Sequence, residues 1–244
     1  MIDAGLAPAF SLSSAIRLLL LYQLPMSTFK TSKAREKILS KIRTGLSKAK
    51  SPMPFPEAEQ GNVAALYSHT GLSPEETFAE AFTALGGKFV FCMNEQELLE
   101  NINALYDSRG WKELICADLD LLVKFHNNKL TFVQQAETSN TTAEACITGC
   151  EAMVARTGSF IITSNENLGR IAPVFYPVHI VVAYADQLVS DIGDAIKSMQ
   201  TKYGTSLPSM INLNTGPSRT ADIEKTLVVG VHGPAEVFCF FVNS

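Results

Sequence analysis

The stretch SPEETFAEAFTALGGKFVFCMNEQELLENINALYDSRG, residues 73–110, most constrains the fold. Ser73 caps a predicted helix with Pro74 in its first turn, and Glu76 completes a capping box. Gly86-Gly87 ends that helix, KFVFCM follows as a buried strand, and Asn94 caps the next helix with acids in its first turn. ELICA and KLTFVQ read as further strands around a middle without clear periodicity. In the second half, CEAMVARTGSFIITS gives two apolar runs around Thr157-Gly158, and HIVVAY is a short β-rich run. ADQLVSDIGDAIKSMQTKYG reads as an amphipathic helix ending at Gly204, followed by strands at SMINLN and EVFCFFV. Strands alternating with helices imply a layered α/β sheet, largely parallel, with a few antiparallel strands at the Thr157-Gly158 unit.

At 244 residues, 46% hydrophobic and 18% charged, the chain has room for one main domain plus an N-terminal appendage. The five cysteines (Cys92, Cys116, Cys146, Cys150, Cys239) include no C-x-x-C, so a thiolate-held zinc or iron–sulfur site lacks its spacing. Cys146 and Cys150 fit one face of a helix, and reduced cytosolic thiols are the simpler reading. Histidines 179 and 232 with nearby acids show no metal-ligand spacing, and no G-x-G-x-x-G or P-loop supports nucleotide binding.

Charge is uneven. From Lys30 to Lys50 eight basic residues face one acid, whereas from residue 51 onward 11 Lys and Arg face 22 Asp and Glu. KAREKILSKIRTGL spaces Ile38, Leu39, Ile42 and Leu46 as a helical stripe, predicting a helix packed on the acidic body or on a partner rather than on nucleic acid. AIRLLLLYQLPM is too short to span a bilayer, and Met26 opens a normal polar lead. The expected organisation is therefore an extension over 1–25, a helix and proline-rich connector over 26–62, and the α/β domain over 63–244.

NLNTGPSRTADIEKTLVVGVHGP, residues 212–234, concentrates turn formers and ionisable groups. The expectation is a strand, the loop TGPSRTAD beyond its carboxyl end, and a short helix starting near Thr220. Gly216 permits an unusual backbone angle, Pro217 stiffens the turn, and Ser218 and Thr220 are candidate helix caps. Helix-start amides with Arg219 beside them would attract a carboxylate or phosphate. Arg219 paired with Asp222 or Glu224 as a structural bridge is the alternative. His232, between glycines, is a candidate acid or base, or else a histidine bonded to its own loop. Thr157 could turn its hydroxyl to a ligand, and His179 reads as a core residue.

The motifs TGCEAMVARTGSFIITS, YPVHIVV, GPSRTADIE and GVHGP, in that order, resemble the LUD domain of the lactate-utilisation protein C family, also called YkgG. The resemblance covers roughly residues 30–244 and is densest from 140 onward. It implies a fold similar to the NagB/RpiA/CoA-transferase class. It also implies a cytoplasmic three-component system that oxidises L-lactate to pyruvate, with the iron–sulfur clusters in partner proteins and no cofactor in this chain. The family motif falls on Thr157, Gly158, Gly216, Pro217, Ser218, Arg219, Thr220, Asp222, Glu224, His232 and Gly233. The family commonly has an acid before Thr-Gly; Arg156 stands there instead, which removes a candidate carboxylate base and could add positive charge near an anionic ligand.

Three functions compete. The chain is a lactate-system subunit binding a small carboxylate at the Arg219 loop, an independent CoA-transferase-like or phosphosugar-binding enzyme, or a regulatory or assembly module docking through its basic helix. Arg156-Thr157-Gly158-Ser159 offers no nucleophilic glutamate for the second. A homo-oligomer is compatible with each reading; a membrane span and a nucleic-acid partner are not expected.

Overall fold

The structure, a computed structural model, describes residues 33–48, 71–165, 168–223 and 226–243. Residues 1–25, Met26, the connector 51–62 and Glu224 lie outside the described residues. The chain divides into two units, Met1–Tyr67 and Ser68–Ser244. In the first, helix α1 (Lys33–Leu46) has Glu36 in its opening turn and Arg43 in its last, as the helix dipole favours. Ile38, Ile42 and Leu46 are exposed along it, so the cover expected for this stripe is not found among the described residues of its unit.

The second unit carries twelve strands among the described residues. Six of them are β1 (Lys88–Cys92), β2 (Leu114–Cys116), β3 (Val133–Gln135), β4 (Ala145–Thr148), β5 (Ala152–Val154) and β6 (Ser159–Thr163). The others are β7 (Val178–Tyr184), β8 (Leu188–Val189), β9 (Ile211–Asn214), β10 (Arg219–Ile223), β11 (Thr226–Val229) and β12 (Glu236–Val242). Helices α2 (Pro74–Ala84), α3 (Glu95–Arg109), α4 (Leu119–Asn127), α5 (Ala172–Phe175) and α6 (Ile192–Tyr203) connect them.

Local chemistry sets the element ends. The Ser73 side chain accepts from the Glu76 amide while Glu76 reaches back to the Ser73 amide, the predicted capping box. Asn94 caps α3, and Gly110 closes it in the left-handed region at φ 60°. The segment read as one helix from Ala185 begins only at Ile192. Asp191 caps it from the Gly193 amide, and the preceding residues form a 3₁₀ turn and β8.

The main sheet is all-parallel, in the order β1-β12-β7-β4-β2-β3. A smaller sheet, β8-β5-β6-β9, contains the expected antiparallel pairing of β5 with β6. Along β12, Phe238, Phe240 and Val242 face a core with α3 and α4, while Val237, Cys239 and Phe241 pack toward α2 and the small sheet. The other face of the small sheet buries Val154 and Ile161 against Ala195 and Met199 of α6. The second unit is thus a layered α/β fold with a parallel main sheet and a mixed small sheet.

One close approach fixes the β5–β6 turn against α2. Gly158, at φ 59°, ends the turn between β5 and β6, and a Cβ built there would lie 2.4 Å from the Phe82 amide nitrogen and 2.8 Å from the Ala81 carbonyl carbon. Gly110 has nearly the same φ of 60° and open space around it. Gly158→Ala should therefore cost at least about 3 kcal/mol in urea denaturation, against about 1 kcal/mol for Gly110→Ala. Equal losses at the two positions would show that the α2 contact is not tight.

Candidate functional site

The helix expected near Thr220 is absent: Arg219–Ile223 is strand β10, paired antiparallel with β11 through Arg219↔Val229 and Thr220↔Val228. Thr220 and Ser218 therefore cap no helix, and the helix-start amides invoked for anion binding do not exist there. The preceding strand β9 belongs to the small sheet, where it pairs antiparallel with β6. The loop consequently lies not beyond the carboxyl ends of the parallel sheet but at its amino ends. Ser218 donates its amide to the Pro234 carbonyl just before β12, and Ala235 donates to the Pro177 carbonyl just before β7, both at 2.9 Å.

Motif residues far apart in sequence meet here. The Ser159 hydroxyl is 2.8 Å from that of Thr157 and 2.9 Å from that of Thr215, joining the Thr157-Gly158 turn to the start of the signature loop. Gly216, at φ 74°, lies against Leu85 at the end of α2, with Pro217 buried beside it. Arg219 is exposed, and its guanidinium donates to the Leu85 carbonyl. A cation there matches the partial negative charge of a helix C-terminus. A Cβ on Gly233 would come within 2.8 Å of the Ser218 Cβ, so the two loops touch. His232 is exposed on the same segment, and Asp222 enters the assembly as a backbone position of β10.

Arg156 pairs with Asp191, the cap of α6. Its Nε and Nη2 form a two-pronged pair with Asp191 at 2.6 and 3.0 Å, and that pair holds the Asp191 carboxyl below its ordinary range. Nor do Cys146 and Cys150 share a helix face: Cys146 is in β4 and Cys150 follows it. All five cysteine side chains are buried, and burial pushes the Cys239 thiol well above its ordinary value. Among the described residues no group of three His, Cys, Asp or Glu is placed to hold a metal ion. Among them, too, no helix is long and apolar enough to cross a membrane.

The opposite edge of the main sheet holds a feature that sequence reading missed. A cavity of about 230 Å³ opens at the carboxyl ends of β2, β4 and β7, lined by Asp118, Lys124, Cys150, Tyr184 and Gln187 among others. Only an aspartate directly after the buried run LICA hinted at the site.

This architecture is shared with a crystallised DUF162 family protein from Deinococcus radiodurans, at a TM-score of 0.52 and 19% identity over 70% of this chain and 99% of that one. The LUD domain model matches residues 75–242, and the chain belongs to the LUD domain family. Proteins named lactate utilization protein C are similar in sequence. Those of Bacillus velezensis and Bacillus subtilis are 34% and 33% identical over 113 residues, 46% of this chain and 45% of each relative. That of Halalkalibacterium halodurans is 33% identical over 119 residues, 48% of this chain and 50% of the relative. The chain spans about half the length of the curated relatives it matches.

His179, between Cys146 and Val237 in the register of the main sheet, is fully buried. Its Nε2 is 2.9 Å from the Thr148 hydroxyl, and Nδ1 has no hydrogen-bond partner among the described residues. Burial lowers its pKa from 6.5 to about 4. The unfolded chain binds this proton more readily than the folded one, so stability falls as pH drops through 6.5 and levels off near 4. The loss should reach about 3 kcal/mol across that window, measured as the shift in urea midpoint. His179→Gln should flatten that part of the profile, and an unchanged slope would assign it to other groups.

Proposed function

We propose that this protein is a cytoplasmic subunit of a lactate-utilisation system, one that oxidises L-lactate to pyruvate, and that its Arg219 surface holds a small carboxylate. The observation that carries the reading is the convergence of the Thr157-Gly158 turn, the Gly216–Arg219 loop and Gly233 on one surface at the end of α2. Family membership and the names of the relatives support the pathway.

A guanidinium carries five N–H donors in a planar fork, and the bond to Leu85 fixes its position while leaving other donors to face a ligand. The Thr157, Ser159 and Thr215 hydroxyls are linked to one another where the Thr157-Gly158 turn meets the start of the signature loop. His232 is exposed on the neighbouring segment and is the candidate to accept the hydroxyl proton of lactate. Oxidation to pyruvate also releases the C2 hydrogen; in this reading it leaves as a proton to solvent while the two electrons would go to iron–sulfur clusters in partner proteins.

A second reading, an assembly role for the same surface, is favoured by its exposed apolar side chains. Val174 and Phe175 of α5, whose Val174 carbonyl lies beside Gly233, are 46% and 51% exposed, and Val231 is 44% exposed.

Arg219→Ala should abolish growth on L-lactate in a strain relying on this copy and weaken lactate binding by at least about tenfold, with the melting temperature close to wild type. Arg219→Lys should not restore binding, because one ammonium cannot match both carboxylate oxygens. Unaltered growth and affinity would remove Arg219 from the site. Val231→Glu separates the second reading: loss of co-purification with an iron–sulfur partner, with lactate binding retained, would establish docking.

A further inference from the structure

The cavity on the carboxyl edge lies at a topological switch point. From β2 the chain passes through α4 to β3 on one side, then returns to β4 on the other side of β2. The strand ends therefore diverge above β2 and β4, and such crevices are where open α/β sheets bind ligands. At about 230 Å³ the space suits a molecule of a few heavy atoms.

Its walls are preorganised. The Gln187 amide donates to the Cys150 carbonyl at 2.6 Å, while its oxygen accepts from the Tyr184 amide at 2.8 Å, tying the loop after β4 to the turn after β7. Lys124 donates to the Tyr184 hydroxyl at 2.8 Å and also to Glu95. Burial pulls the Lys124 ammonium down, and these two hydrogen bonds outweigh it, so it stays charged above its ordinary value. Because Tyr184 accepts from Lys124, its own O–H proton is free to be donated.

The charges are asymmetric. Lys124 is matched by Glu95, whereas among the described residues neither Asp118 nor Asp120 takes part in an ion pair. Asp118 uses one carboxylate oxygen to cap α4, accepting from the Leu121 amide at 2.9 Å. Two carboxylates thus remain to accept from a ligand, and the Tyr184 hydroxyl and the Lys124 ammonium offer donors. Leu121 and Val182 supply the apolar wall.

We infer that this cavity binds a small molecule carrying an ammonium group for Asp118 and Asp120 and an acceptor group for Tyr184 and Lys124, of which an α-amino acid is the simplest. Two carboxylates with no ion-pair partner among the described residues disfavour a simple anion such as lactate at this site, which is separate from the Arg219 surface.

L-Alanine and L-lactate share a carbon skeleton and differ in carrying an ammonium or a hydroxyl, so they form a matched pair of probes for calorimetric titration of the full chain. L-Alanine should bind saturably with a Kd of about 10 mM or tighter, and L-lactate should not compete with it. The double variant D118N/D120N should weaken L-alanine binding by at least about tenfold. Asparagine caps a helix as well as aspartate does, so the fold should be retained. Tyr184→Phe, which keeps the ring and removes the hydroxyl, provides an independent weakening. Arg219→Ala should leave L-alanine binding intact, so failure of the lactate reading and failure of this one are told apart. Absence of saturable L-alanine binding, an unchanged affinity in both variants, or equal competition by L-lactate would overturn the assignment.

Discussion

The insertion of β12 between β1 and β7 is the contact on which the other features depend. From Val237 to Val242 every side chain on both faces is buried, and apolar burial at roughly 25 cal/mol per Å² makes such a strand the anchor of its sheet. Because all three strands run parallel, whatever precedes them falls on one edge and whatever follows them on the other. Leu85-Gly86, Pro177 and Gly233-Pro234 gather at the amino edge, and with them the signature loop. The ends of β2, β4 and β7 gather at the carboxyl edge, around the cavity.

This geometry separates what the family signature does for folding from what it leaves for chemistry. Gly158 allows the β5–β6 turn to press on the backbone of α2, and Gly233 allows two loops to touch at Ser218. These glycines are requirements of packing. Among the described side chains of the signature, Arg219 and His232 are exposed ionisable groups.

Elements defined by local chemistry were legible in the sequence. The capping box at Ser73, the asparagine cap at Asn94 and the apolar runs of β1, β7 and β12 each announce themselves within a few residues, although β1 is fully buried only at Cys92. The β10–β11 hairpin was not legible, because Ser218 and Thr220 are equally good helix caps and only pairing with Val228 and Val229 decides against them. β4 escaped notice because ACIT is four residues long and its neighbours β2 and β7 are distant in sequence. The amino-edge position of the signature loop depends on β9 joining the small sheet, which no local pattern encodes. The cavity is the extreme case, since Asp118, Gly149 and Tyr184 meet only through strand order.

The interior position of β12 also has a consequence during synthesis on the ribosome. Lys88 of β1 and Glu236 of β12 end as neighbours although 148 residues separate them. Until that late segment emerges, β1 and β7 present unsatisfied backbone edges side by side, and loop closure over such a distance is slow. From the emergence of β7 until that of β12 the nascent polypeptide therefore carries open strand edges, the state in which sheets are most prone to wrong pairing.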